Sequence, residues 1–255
     1  MIKFFRSIRK NLLSEGKTTK YFKYAIGEVF LVMIGILLAI QVNNWNNGRI
    51  EVSKEQAVLV SLQTDFKTNI NNVSSAYNSF SEAYEASVIL LDIIKDDSVI
   101  NASEIEHLLD EIINKTSSLD IITGSIDEIF NTGTFNLIRD PNLRKQLSNW
   151  SYYTTDTVDD IIIYRNYLFE FFIPSLTNKA ILRNMEVPAF FENNLDLRKI
   201  SKSNFKVNYE KIIRTIEFEN QVYNNTLNYM YALNSYKVFN NYLTETLKLI
   251  ESNIK

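Results

Sequence analysis

Residues 59–94 read LVSLQTDFKTNINNVSSAYNSFSEAYEASVILLDII. The large apolar side chains Leu59, Leu62, Phe66, Ile70, Val73, Tyr77, Phe80, Tyr84, Val88, Leu91 and Ile94 recur every three or four positions, 35 residues in ten steps. That is a period of 3.5, the repeat of a helix whose buried seam faces supercoiling neighbours. The stretch predicts one helix over about 50–96, closed by Asp96, Asp97 and Ser98. Aromatic rings in the seam suit a bundle of several helices better than a tight two-stranded zipper.

Downstream the helical signals continue. A short amphipathic helix over about 102–115 places Ile105, Leu108, Leu109, Ile112 and Ile113 inward, with Asn101 or Ser103 as N-cap. Ser125 to Glu128 has the spacing of a capping box, and Gly133 is placed to end the helix it opens. Asp140 and Pro141 supply an N-cap and a first-turn proline for a helix over 141–172. Its inward set is Leu143, Leu147, Trp150, Val158, Ile161, Leu168 and Phe172, and Pro174 ends it. Residues 174–204 are the least regular, and Val187, Pro188, Phe190 and Phe191 suggest a loop folded over the bundle. A last helix or helix pair over 206–252 turns inward Tyr209, Ile212, Ile216, Tyr223, Leu227, Met230, Leu233, Phe239, Leu243, Leu247 and Ile250. Only 6 Gly and 3 Pro occur in 255 residues, too few turn formers for a β-sandwich or barrel.

Upstream, Val29 to Ile40 (VFLVMIGILLAI) is 12 residues without a polar side chain. At ~1.5 Å per residue it covers ~18 Å, short of a ~30 Å hydrocarbon core. Extended to residues 24–45 it is long enough, with Tyr21, Tyr24 and Trp45 at the two interfaces. The expected fold is therefore all-α: a single N-terminal transmembrane helix (24–45) followed by an extracytoplasmic antiparallel bundle of long helices (46–255). Asn43 to Gly48 form a polar joint of weak helix propensity, where a hinge is plausible.

Residues 1–24 carry seven basic side chains against Glu15 alone, a net +6 that leaves −9 on the rest. An acidic body carries no electrostatic footprint for nucleic acid. Basic residues just ahead of an apolar span put the N-terminus in the cytoplasm and 46–255 outside it, which in a two-membrane bacterium is the periplasm. A cleaved signal peptide is the competing reading, against which stand a basic region over 20 residues long and no A-x-A site. Residues 1–13 are also amphipathic, and Lys3, Arg6, Arg9 and Lys10 would lie on anionic lipid headgroups or simply set topology.

The stretch GEVFLVMIGILLAIQVNNWN (27–46), behind MIKFFRSIRKNLLSEGKTTKYFKYAI (1–26), resembles the start of an uncharacterised family of single-span Bacteroidota membrane proteins, a domain of unknown function. SIDEIFNTGTFNLIRDPNLRKQLSNWSYY (125–153) is similar to that family's helix–glycine–helix unit. The resemblance covers about 75 residues. It implies topology and source and supplies no activity.

With no Cys and one His, disulfides, thiol catalysis and multi-histidine metal centres are excluded. Glu104, His107 and Glu111 share a helix face, half of a di-iron pattern whose second His is missing. Asp156, Asp159 and Asp160 read as the wet side of a helix. No catalytic constellation is legible, and no cofactor is implied. Glu28, about one turn inside the membrane edge, reads as a headgroup-reaching carboxylate, a pairing group across helices or a proton carrier. Gly27, Gly35 and Ala39 permit close helix approach, and with Glu28 and Gln41 they define a membrane-helix association face. The expected function is a non-enzymatic, membrane-anchored interaction or scaffold protein. Its partners would be membrane lipid and a second copy or another membrane protein. The alternatives are a ligand-sensing bundle that relays through a partner, and a subunit of an energy-coupled envelope complex using Glu28.

Overall fold

The computed structural model describes residues 18–96, 100–115, 119–186, 196 and 198–255. Lys3, Arg6, Arg9 and Lys10, the amphipathic segment 1–13, and the cluster Val187, Pro188, Phe190 and Phe191 lie outside the described residues. Every regular element among the described residues is helical, so the fold is all-α. The chain divides into two compact units, Met1–Ala57 and Val58–Lys255.

Helix α1 runs Thr18–Lys95 in 78 residues. It passes through Asn43 to Gly48 without a break, so no hinge forms there. Extending an existing helix adds one hydrogen bond per residue fixed, whereas breaking it requires a second costly nucleus. No proline lies between 18 and 95 to force that break. In the first unit every side chain from Val29 to Asn47 is exposed, and the helix is long and apolar enough to cross a membrane. That length and composition fit a single-pass span or a signal anchor.

The second unit is an up-down-up-down bundle whose second leg is fragmented. From Val58, α1 is the first leg. The chain returns through α2 (Ala102–Asn114), an extended piece at 119–123 and α3 (Gly124–Asn131). Its direction follows from successive ties to α1: Lys115 to Glu82 at 2.8 Å, Asn72 to the Asp120 carbonyl at 2.9 Å, and Asp65 to Ser125. The third leg is α4 (Pro141–Ser148) and α5 (Trp150–Tyr167), parallel to α1, with Phe66 on Trp150 and Phe80 on Tyr164. After α6 (Tyr209–Ile213), the fourth leg is α7 (Ile216–Asn253), antiparallel to α1, with Phe80 against Tyr236 and Lys67 bridging to Glu251.

The seam of α1 keeps the expected period, and Leu59, Leu62, Phe66, Val73, Phe80 and Ile94 face inward as expected, while the other five expected side chains do not. From Val58 onward the full inward set is Leu59, Leu62, Phe66, Asn69, Val73, Ala76, Phe80, Ala83, Ala86, Ser87, Leu90 and Ile94. Ile70, Tyr84, Val88 and Leu91 flank this stripe as partly buried side chains, and Tyr77 is exposed. Ala76, Ala83 and Ser87 are small members of the same stripe as Phe80, whose ring meets Tyr164, Tyr229 and Tyr236 of facing helices at 5.0–5.8 Å. The last helix differs in part: Ile216, Tyr223 and Met230 point outward, Phe218, Val222, Tyr229, Ala232 and Tyr236 point in, and Phe239, Leu243 and Ile250 point in as expected.

Local starts and stops follow the side-chain chemistry. Asn101 caps α2 through the Ser103 amide at 3.1 Å, and Gly133 adopts φ 75°, the left-handed conformation that stops α3. Asp140 caps α4 through the Asn142 and Leu143 amides, with Pro141 at the first turn. The capping box at Ser125 does not form. The helix begins one residue earlier, and the Ser125 amide and hydroxyl are both taken by Asp65 of α1, at 2.9 and 2.6 Å. The 141–172 helix is also two helices joined at Asn149. The second widens into a π-helical turn at Leu168–Phe172, where the Ile173 amide reaches back five residues to Leu168. The wide turn brings both Leu168 and Phe172 inward and carries helical structure through Pro174 to Ser175.

Candidate functional site

The residues expected to associate in the membrane all lie on α1 in the first unit. At 3.6 residues per turn, Glu28, Gly35 and Ala39 fall within about 40° of one another. Gly27 lies about 100° round from Glu28 and Gln41 farther still, so the five positions form two adjoining sectors rather than one stripe. A methyl group built on Gly27 or Gly35 would meet nothing within 4 Å, so both glycines leave backbone accessible to an approaching helix. At the distal end of the apolar run, the Arg49 guanidinium sits 5.5 Å above the Trp45 ring. A cation on an exposed aromatic is the pairing expected where an apolar span meets a polar layer.

Within the second unit the buried polar groups are built into the packing. Tyr229 is fully buried and its hydroxyl donates to the carbonyl of Ile112. That carbonyl is in the last turn of α2, where no amide of the helix itself can reach it. The Tyr164 hydroxyl in turn donates to Tyr229 at 3.1 Å. Burial pushes the Tyr229 phenol up to about 12. Asp160 of α5 accepts from the Ser235 hydroxyl of α7, so one of the three acids read as a wet face is a tie between legs. Asp156 and Asp159 are exposed, as expected.

His107 is exposed and stands 3.9 Å from Glu111. Among the described residues no three His, Cys, Asp or Glu side chains stand together as a metal-holding group. Tyr209 donates to Glu106 at 3.0 Å and is pushed up to about 12, chiefly by burial. The sequence reading passed over Asn69, Tyr164, Tyr229 and Tyr236 as polar features. Each recurs at helical spacing, but the sequence alone does not fix which phase of that repeat is buried, so no local signal marked them.

Comparison with protein-family models, with curated proteins and with solved structures found no match.

Proposed function

We propose that this chain is a membrane-anchored interaction protein of the cell envelope, held by residues 24–45 and working through contacts with other membrane proteins or a second copy of itself. Its N-terminus is cytoplasmic, by the basic residues before the span, and residues 46–255 lie on the extracytoplasmic side, in the periplasm of a two-membrane cell. We place it with the single-span Bacteroidota family that its 1–46 and 125–153 stretches resemble.

The observation that carries the reading is where unfilled packing remains. The heptad seam of α1 is consumed inside the bundle by α5 and α7, so it is not the surface that recruits a partner. The apolar run from Val29 to Ile40 is exposed on every side, and Gly35 and Ala39 lower the steric barrier along the sector that also carries Glu28. In lipid, helix association is driven by close van der Waals packing and polar pairing rather than by apolar burial. A small-residue sector with one carboxylate supplies both.

The test is native mass spectrometry of full-length protein, tagged at the C-terminus and extracted gently from its own membranes. A defined oligomer, or a stable foreign membrane subunit, is the expected result. A bare monomer under all mild detergents would overturn the reading.

A further inference from the structure

Residues 198–206 read RKISKSNFK, a segment of the second unit without regular secondary structure that leads towards α6. Its serines pin it to the bundle. The Arg183 guanidinium donates to the Ser201 hydroxyl at 3.0 Å, and the Ser203 amide donates to the Asn184 side-chain oxygen at 2.9 Å. Just beyond it, Tyr209 is buried and donates to Glu106 of α2. Between these ties large apolar side chains stand in solvent: Ile200 is 67 % exposed and Phe205 84 %. Phe205 is barer than any apolar side chain of the span 24–45, where Val29 reaches 68 %.

The charge here opposes that of the body. Residues 198–214 hold Arg198, Lys199, Lys202, Lys206, Lys211 and Arg214 against Glu210 alone, in a chain that is net −9 beyond residue 24. Glu210 faces Arg214 at 3.8 Å, and Arg214 also donates to the Asp96 carbonyl at 2.8 Å. Asp196, at the other edge, is exposed. Lys199, Lys202 and Lys206 are exposed, and among the described residues none of the three forms an ion pair. Cations held close together repel one another, and an anionic surface relieves that repulsion.

We propose that residues 198–206 dock on an anionic phospholipid bilayer. Lys199, Lys202 and Lys206 meet headgroup phosphates, and Ile200 and Phe205 enter the boundary between headgroups and acyl chains. A soluble polyanion would answer the charge and leave both apolar side chains in water. One ring beside an isoleucine is also a poor platform for stacking bases. A bilayer surface takes up both components. The proposal goes beyond the interaction reading, which rests on the span, and vesicle binding is read separately from oligomeric state, so the two fail separately.

The experiment holds full-length protein in nanodiscs of phosphatidylcholine and measures its co-sedimentation with sucrose-loaded vesicles. The vesicles are phosphatidylcholine alone or mixed with phosphatidylglycerol. Binding to the anionic vesicles only, weakened by salt, is expected. Replacing Lys199, Lys202 and Lys206 together by Gln should lower the partition coefficient about a hundredfold. Ile200→Ser combined with Phe205→Ser should lower it about tenfold. All five side chains are exposed, so melting curves of the variants should match the parent. The basic residues ahead of the span are intact in every variant, so binding that survives the triple substitution belongs to them and would overturn the site. Absence of binding to anionic vesicles would overturn it as well. So would an apolar double variant that binds like the parent, which leaves a general polyanion site that a single-stranded oligonucleotide should fill equally well.

Discussion

The side-chain amide of Asn69 pairs with the backbone of Ile122 as a strand would, donating to its carbonyl at 2.9 Å and accepting from its amide at 2.8 Å. One buried side chain in the heptad seam of α1 therefore holds the extended part of the second leg. Replacing it with Leu keeps the volume and strands two backbone groups. Asn69→Leu should destabilise the protein by roughly 2–3 kcal/mol in urea unfolding. Protection of the Ile122 amide from hydrogen exchange should fall before global unfolding.

Tyr229 connects α7 to the end of α2. Tyr229→Phe removes no ring contact with Phe80, which lies 5.8 Å away, but it leaves the Ile112 carbonyl unpaired inside the core. The cost should be about 1–3 kcal/mol, seen as a lowered denaturation midpoint with an unchanged slope.

The buried phenols make stability sensitive to alkali. Tyr229 titrates near 10.0 when unfolded and at about 12 when folded, and burial also raises Tyr236 and Tyr242. A raised value means that the unfolded chain loses its protons first. Stability from these groups is fully present below pH 10.0 and declines as pH rises through the folded values. Phenolate absorbance of the folded protein should lag behind that of the urea-unfolded chain over that window.

Asp140 caps α4 and also accepts from the Asn253 amide at 2.9 Å, tying the start of the third leg to the end of the fourth. The Asn253 bond, followed by the two backbone amides, holds its carboxyl below the ordinary 3.8. The stability it contributes is present above that value and is lost as pH falls through the lower folded one. Asp140→Ala should cost about 1 kcal/mol at neutral pH, and the difference from the parent should shrink in acid.

In the span, Gly35→Leu should abolish association without changing bundle stability, because the side chain would occupy the space a partner helix needs. Cross-linking in native membranes, with a melting curve of the same variant, separates the two effects.

The period of the long helices was legible in the sequence, and the phase only in part: Leu59, Leu62, Phe66, Val73, Phe80 and Ile94 on α1 and Phe239, Leu243 and Ile250 on α7 are buried as expected. Choosing the largest apolar residues selects Ile70, Tyr77 and Tyr84, yet the buried positions are Asn69, Ala76 and Ala83. Small and polar side chains share the seam with Phe80, on which rings arrive from other helices, and Asn69 is there to pair with the Ile122 backbone. A single sequence shows each helix without its neighbours. The same blindness put Ile216, Tyr223 and Met230 inward on α7. Caps written locally were legible, as at Asn101, Gly133 and Asp140. The start of α3 was not, because its cap comes from Asp65, 60 residues away. The apolar span was legible from composition alone, whereas the Tyr164–Tyr229 hydrogen bond joins two helices far apart in the chain.

The order of the legs has a consequence for synthesis. Helix α7, which covers Phe80 and the small residues around it, is the last described element to leave the ribosome. Until Ile216–Asn253 has been made, the apolar stripe of α1 lacks the surface it will finally bury against. A chain already anchored by residues 24–45 would display that stripe beside the membrane. Translation that stalls before residue 216 should therefore yield an aggregation-prone fragment rather than a shorter bundle.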